Sequence, residues 1–257
     1  MYYNPLLYVS WDAGPIATEL QTNTHLFLIY KAIDLLRLSS PSPLVQQALT
    51  VIQKNWDQLA AGSRDADEKM QYKQLGTYTG HFYNPETGRS YIPFVDTAKD
   101  YFFYLLNLAT TYWNNCDFTQ ATYYLGLALH FLADIGIPLH AVNFTAISLP
   151  IGFHPAIETF VKQLHSRLAP DVNSFIKPPL NTNIQDEVLN LAWSSHDLGP
   201  QILTPASKQA YSNNQPETWH SIVAAPLQLA MSNAVYSIAR ILTLWFTQNP
   251  VPLTCQV

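Results

Sequence analysis

The chain has 257 residues, of which 48% are apolar, 13% aromatic and only 12% charged, with a formal charge of -5. That much apolar material builds a sizeable core and excludes a disordered chain. The acidic balance, without any lysine or arginine run, argues against a nonspecific grip on nucleic-acid backbones. Neither G-x-x-x-x-G-K-[ST] nor G-x-G-x-x-G occurs, so no nucleotide cofactor is expected.

The opening "MYYNPLLYVS" lacks the basic flank and length of a signal peptide, and residues 1–10 are set apart as a leader. From there apolar residues recur at helical spacing, as in Val45, Leu49, Ile52, Trp56 and Leu59. The pattern predicts helices at about 24–39, 43–61, 94–114, 117–136, 154–169, 184–195 and 216–247, with ends uncertain by about two to four residues. Turn chemistry separates them at "SSPSP" 39–43, "NPETGRSYIP" 84–93, "SLPIGFHP" 148–155 and "IKPPLNTN" 176–183. Strand-like alternation is nearly absent, and no stretch is long enough to be a domain linker. The fold class is therefore all-α, a single-domain helical bundle over 11–257. Pro226 falls inside the last helix, where a kink is expected. No apolar run reads as a membrane span. The two cysteines, Cys116 and Cys255, have no CxxC spacing; they exclude a thiolate metal site and leave one disulfide open.

The chemistry is concentrated in "HFLADIGIPLHAVNF", residues 130–144. His130 and Asp134 stand i, i+4 on one helix face, Pro138 ends that helix, and His140 follows. His154 and Glu158 repeat the i, i+4 spacing on the next helix. A lone histidine on an apolar helix is by default a hydrogen-bonded core residue. Two histidine–carboxylate pairs outweigh that reading, because a carboxylate buried among Phe131, Ile135, Ile157 and Phe160 costs several kcal/mol unless paired or coordinated. Between Arg89 and Lys162 the sequence offers only Lys99 as a cation. Imidazole with carboxylate and no thiolate selects zinc, ahead of manganese or iron.

The segment H-F-L-A-D-I-G-I-P-L-H-A-V-N resembles the signature of the zinc-dependent bacterial phospholipases C. The similarity runs from Trp11 nearly to Trp245 through "HLFLIYKAIDLL", "GHFYNPETGRSYIPF", "YYLGLALHFLADIGIPLHAVNFT" and "GFHPAIETFV". The resemblance implies three zinc ions. Asp67, His81, His130 and Asp134 would hold one, and His140, His154 and Glu158 a second. His25 and the bridging Asp134 would hold the third with the amino nitrogen and carbonyl oxygen of Trp11. Asp67 would also be the general base. His165, His196 and His220 match no role, and packing is their default. Read alone, Asp67 could be a solvated loop acid, His81 a packing residue and His25 an ordinary residue at a helix start.

The implied activity is hydrolysis of the glycerol-side phosphodiester of glycerophospholipids such as phosphatidylcholine, at a membrane or micelle surface, by a secreted monomer. Tyr78 and Phe82 occupy aromatic positions suited to a choline ammonium, with core packing as the alternative. The sequence departs from the family pattern at three places. Ten residues precede Trp11, Gly14 stands where choline-selective members have glutamate, and Glu68 replaces an aromatic, supplying a negative charge of its own. Two other readings are a single-strand-preferring zinc nuclease of the same fold, and a noncatalytic zinc-stabilised lipid-binding protein. The glutamate at 158 and the short interval from His140 to His154 favour the phospholipase.

Overall fold

A computed structural model describes residues 15–69, 78–179 and 181–255, with side chains from residue 19 onward. The leader, Trp11 and Gly14 lie outside the described residues. The described chain forms α1 (Pro15–Thr22), α2 (Thr24–Leu38), α3 (Pro43–Lys54), α4 (Trp56–Glu68), α5 (Ala98–Asn114), α6 (Phe118–Ile135), α7 (Pro138–Ala141), α8 (Phe153–Leu164), α9 (Ile184–Ile202), α10 (Pro205–Ser212) and α11 (Pro216–Gln248). No strand occurs among the described residues; one isolated antiparallel bridge joins Asn84 and Arg89. The fold is all-α, as its periodicity requires.

Side-chain caps explain where the helices start. Asn23, Ser42, Asp117, Asn183 and Thr204 each accept a backbone N–H of the first turn, and Thr97 and Asp100 form a reciprocal capping box. That box moves the start of α5 to Ala98, four residues later than the periodicity predicts. The expected helix 43–61 is two helices, because Asn55 leaves the helical conformation at φ -117. The second continues to Glu68, which places Asp67 on the last turn of a helix and not in a loop. Small buried residues, Gly62, Ser63 and Ala66, hide this segment's periodicity from a reading based on large apolar side chains. The expected helix 184–195 likewise runs on to Ile202, with Ser195, Leu198, Gly199 and Ile202 on its buried face. Helices α1, α7 and α10 lie outside the segments predicted.

Helix α6 is the axis of the bundle, buried at every position from Leu125 to Ile135 and packed chiefly on α5 and α4. Helix α11 packs against α9 and α2, with further contacts to α10, α3 and α8. By length and composition α11 passes as a membrane span, contrary to the sequence expectation. Half of its most apolar stretch is buried inside the bundle, so its apolarity has a sufficient cause in the core it crosses. It continues through the buried Pro226 without a break. Cys116, just past α5, is bonded to Cys255 after α11, with Cα atoms 5.6 Å apart. The pairing that spacing left open is thus made, and it ties the segment after α11 to the α5–α6 turn.

Candidate metal centre

His130 and Asp134 sit at the deepest point of the bundle, both with no exposure. The i, i+4 spacing aims them to one side of α6, where three other segments bring histidines. His25 comes from the first turn of α2, His81 from a 3-10 turn at Thr79–His81, and His140 from α7, which begins at Pro138.

Asp134 joins these groups. Its Oδ2 lies 2.7 Å from His81 Nδ1 and 3.3 Å from His130 Nε2. Its Oδ1 lies 3.1 Å from His25 Nε2 and 3.1 Å from His140 Nδ1, the latter contact being off the hydrogen-bond direction. Asp67 Oδ1 approaches from α4, 3.4 Å from His130 Nε2 and 3.9 Å from His81 Nδ1. The side chain of Asp67 is 46% exposed, so the cluster opens to solvent on that side. Next to it, His140 Nε2 and His154 Nε2 are 3.2 Å apart, and Glu158 Oε1 is 3.0 Å from His154 Nε2 and 3.8 Å from His140 Nε2. Three groups of potential ligands therefore converge: His25, His130 and Asp134; Asp67, His81 and His130; and His140, His154 and Glu158.

Packing distinguishes the two aspartates at the end of α4. Asp65 accepts from the Tyr123 hydroxyl at 2.8 Å and pairs with Lys69 at 2.7 Å. Asp67 is thereby left as the acid of that turn facing the histidines.

The charges are strongly coupled. Burial opposes ionisation of Asp67, but the charge of His130 and its hydrogen bond prevail and hold the carboxyl at about 2. Burial likewise opposes charge on His130, yet Asp67 and Asp134 raise it to about 10. His140 rises to about 9, burial being outweighed by Asp134 and Glu158. Asp134 lies well below the usual carboxylate range despite complete burial, through His81, His25 and His130, and Glu158 is lowered by His140 and His154. Every ion-pair partner of Asp134 among the described residues is a histidine.

These donors fit zinc. Four tetrahedral ligands at about 2.0 Å from a zinc ion lie about 3.3 Å from one another. The separations of 3.4 Å between His130 Nε2 and His81 Nδ1, 3.3 Å from His130 to Asp134 and 3.4 Å from His130 to Asp67 match that spacing, while His81 stands at 2.7 Å from Asp134 and 3.9 Å from Asp67, on either side of it. So does the 3.2 Å between His140 and His154.

The other predicted residues are distributed differently. Tyr78, at φ 55 and 41% exposed, faces His81 with ring centroids 5.6 Å apart. Phe82 is 5% exposed and packs on His140 at 4.4 Å and His154 at 5.9 Å, behind the imidazoles. Glu68 is exposed at the end of α4. His165 stacks on Phe27 at 4.0 Å and meets Thr24 Oγ1 at 3.2 Å; burial lowers it to about 4. His220 stacks on Phe160, and His196 lies 3.8 Å from Glu86. The contact of His140 with Asp134, joining two ligand groups, has no counterpart in the sequence pattern.

A helical bundle whose buried histidines and carboxylates form groups able to hold a metal ion defines the class as an all-α protein with a candidate metal centre. Within that class the family model for zinc dependent phospholipase C matches residues 24–198, and the chain belongs to that family. A phospholipase C of Bacillus cereus is 39% identical over 140 residues, covering 54% of this chain and 49% of that protein. One of Listeria monocytogenes is 29% identical over 237 residues, covering 92% of this chain and 81% of its own. The chain thus spans about half the length of the Bacillus relatives it matches and most of the Listeria one. The solved alpha toxin of Clostridium absonum superposes with a TM-score of 0.70 at 20% identity, over 90% of this chain and 65% of the toxin, which shows a common fold.

Proposed function

We propose that this chain is a zinc-dependent phospholipase C, hydrolysing the glycerol-side phosphodiester of glycerophospholipids such as phosphatidylcholine to diacylglycerol and the phosphorylated head group. The observation that carries the reading is the convergence of four histidines from four separate elements on Asp134, with the half-exposed Asp67 at the rim. A structural site has no use for an additional accessible carboxylate beside a buried one.

Asp67, His81, His130 and Asp134 would hold one ion; His140, His154 and Glu158 a second; and His25 and Asp134 a third, to which the family resemblance adds Trp11, outside the described residues. When bound, zinc supplies Lewis acidity toward phosphate oxygens and lowers the pKa of water. Asp67 is ionised at neutral pH and reachable from solvent, so it takes the proton of the attacking water. Asp134 has no exposure, so it exchanges no proton with solvent; its part is that of a buried ligand that also orients the imidazoles around it. Tyr78 offers an exposed ring face next to His81 for the choline ammonium. Glu68, one residue beyond Asp67, supplies a negative charge toward the same cation. Phe82 positions His140 and His154 from behind.

Residues 11–257 form the catalytic unit, acting as a monomer on the lipid surface. An extracellular setting agrees with the Cys116–Cys255 disulfide, since such bonds persist in oxidising compartments.

The test is hydrolysis of short-chain phosphatidylcholine by zinc-loaded protein, assayed for both diacylglycerol and phosphocholine, with a chelator control and single-stranded DNA as parallel substrate. Release of both products, abolished by chelation, is expected. Cleavage of DNA without lipid turnover would replace the proposal with a nuclease, and turnover of neither with a noncatalytic zinc protein.

A further inference from the structure

The segment joining the two halves of the second ligand group shows an uncharged, aliphatic surface. Between His140 and His154 the chain leaves α7, exposes Ile147 at 81%, Leu149 at 73% and Ile151 at 62%, and re-enters at α8. No charged residue lies between His140 and Glu158. Large aliphatic side chains exposed at three alternate positions are what folding normally avoids.

The loop is held in this form from both ends. Phe144 and Phe153 are buried, with ring centroids 5.8 Å apart in an edge contact, and clasp its base to the core. Within it, Ser148 turns back on Thr145. The Thr145 N–H donates to Ser148 Oγ at 3.0 Å, and the Ser148 N–H to the Thr145 carbonyl at 3.0 Å. With Ser148 directed inward, its neighbours Ile147 and Leu149 point out.

The same rim continues across a second segment. Asn143 Nδ2 donates to the Arg89 carbonyl at 3.4 Å, and the Arg89 guanidinium lies 5.8 Å above Phe94, which is 94% exposed. The Glu158 side chain, seven residues beyond Ile151, is 51% exposed, so solvent reaches the second ligand group there.

Resting on the proposed phospholipase function, we propose that Ile147, Leu149 and Ile151 form an interfacial anchor that inserts into a phospholipid surface and seats the mouth of the metal centre on it. The occupant is a zwitterionic lipid surface. The patch is uncharged, and a chain of net charge -5 gains nothing from anionic lipid. The loop runs directly from one metal ligand to the next, so whatever it enters is brought to the site.

The experiment compares zinc-loaded wild type with the triple variant Ile147→Ser, Leu149→Ser, Ile151→Ser. Three readouts are taken: flotation with phosphatidylcholine vesicles at low and high salt, turnover of short-chain phosphatidylcholine below its micellar concentration, and mass in solution by sedimentation. The variant is expected to lose vesicle binding and vesicle turnover by about ten-fold or more, while turnover of monomeric lipid and the circular dichroism spectrum stay unchanged. Wild-type binding is expected to survive high salt. Vesicle binding equal in variant and wild type, absence of binding by the wild type, or a parallel fall in monomer turnover would each overturn the inference. A wild-type dimer that the substitutions dissociate would assign the patch to a second copy instead. Loop-dependent vesicle binding by a protein that hydrolyses no lipid would leave the anchor standing and remove the phospholipase reading.

Discussion

Gly62 on α4 and Gly126 on α6 meet with no space for a methyl group on either. A Cβ on Gly62 would lie 2.0 Å from the Tyr123 carbonyl oxygen, and one on Gly126 2.0 Å from the Leu59 carbonyl oxygen. The obstructing atoms are backbone, so neither helix can yield by turning a side chain. This contact sits one helical turn before His130 on α6 and five residues before Asp67 on α4, and so sets the distance across which those two groups face each other.

Gly126→Ala is therefore expected to destabilise, although alanine in a helix interior ordinarily gains about 1 kcal/mol over glycine. Overpacking of this kind costs about 1–3 kcal/mol or more. Spreading α4 from α6 also weakens zinc binding. Thermal unfolding with and without zinc checks both effects; an unchanged melting temperature and zinc affinity would contradict the account.

Asp67→Asn should lower kcat by about 10²–10⁴ while leaving KM within a few-fold, as expected for removal of a general base. Asp65→Asn is the control. It cuts the link to Lys69 and Tyr123, a partly exposed network contributing about 1 kcal/mol, and should leave turnover near wild type. Equal kinetic losses in both variants would remove the distinction drawn between these acids.

Zinc loading at neutral pH should release protons. His130 and His140, raised to about 10 and about 9, carry protons in the metal-free chain, and each must be lost for nitrogen to bind metal. Calorimetry in two buffers of different ionisation enthalpy measures the release directly. The same shifts make metal-free stability depend on pH. Both folded pKa values lie above the ordinary 6.5, so their contribution is complete below about 6.5 and is lost as pH rises through 9 to 10. The melting temperature of chelated protein should fall over that alkaline window, and zinc should suppress the fall.

Arg240 on α11 donates to both oxygens of the buried Glu187 on α9, at 2.8 and 2.6 Å. Arg240→Ala leaves that carboxylate without its partner and should destabilise by about 3–5 kcal/mol. Replacing both, as Glu187→Gln with Arg240→Met, should recover much of the loss. Chemical denaturation of the single and double variants decides whether the fault is the orphaned charge or lost packing.

Much of the site could be read because helix geometry is local. The spacings His130 to Asp134 and His154 to Glu158 each define one face of one helix, whatever surrounds it; Pro138, read in the sequence as a helix stop, is in the structure the first residue of the next helix. Asp67 was harder to place, since the glycine and alanine that pack α4 leave no periodic stripe of large side chains. The aliphatic loop at 147–151 is composed like core, and only its exposure marks it otherwise.

By itself the sequence determined an all-α bundle and the two helical histidine–carboxylate pairs, because these follow from a repeat of 3.6 residues and from caps and prolines acting on their neighbours. The tertiary structure decided the rest. It turned Asp67 toward the histidines and Asp65 toward Tyr123, brought His25 to Asp134 across 109 residues and His81 across 53, and joined Cys116 to Cys255 across 139. Such contacts depend on how closely helices approach and which faces they bury, and packing between distant segments settles both only when the whole bundle is assembled.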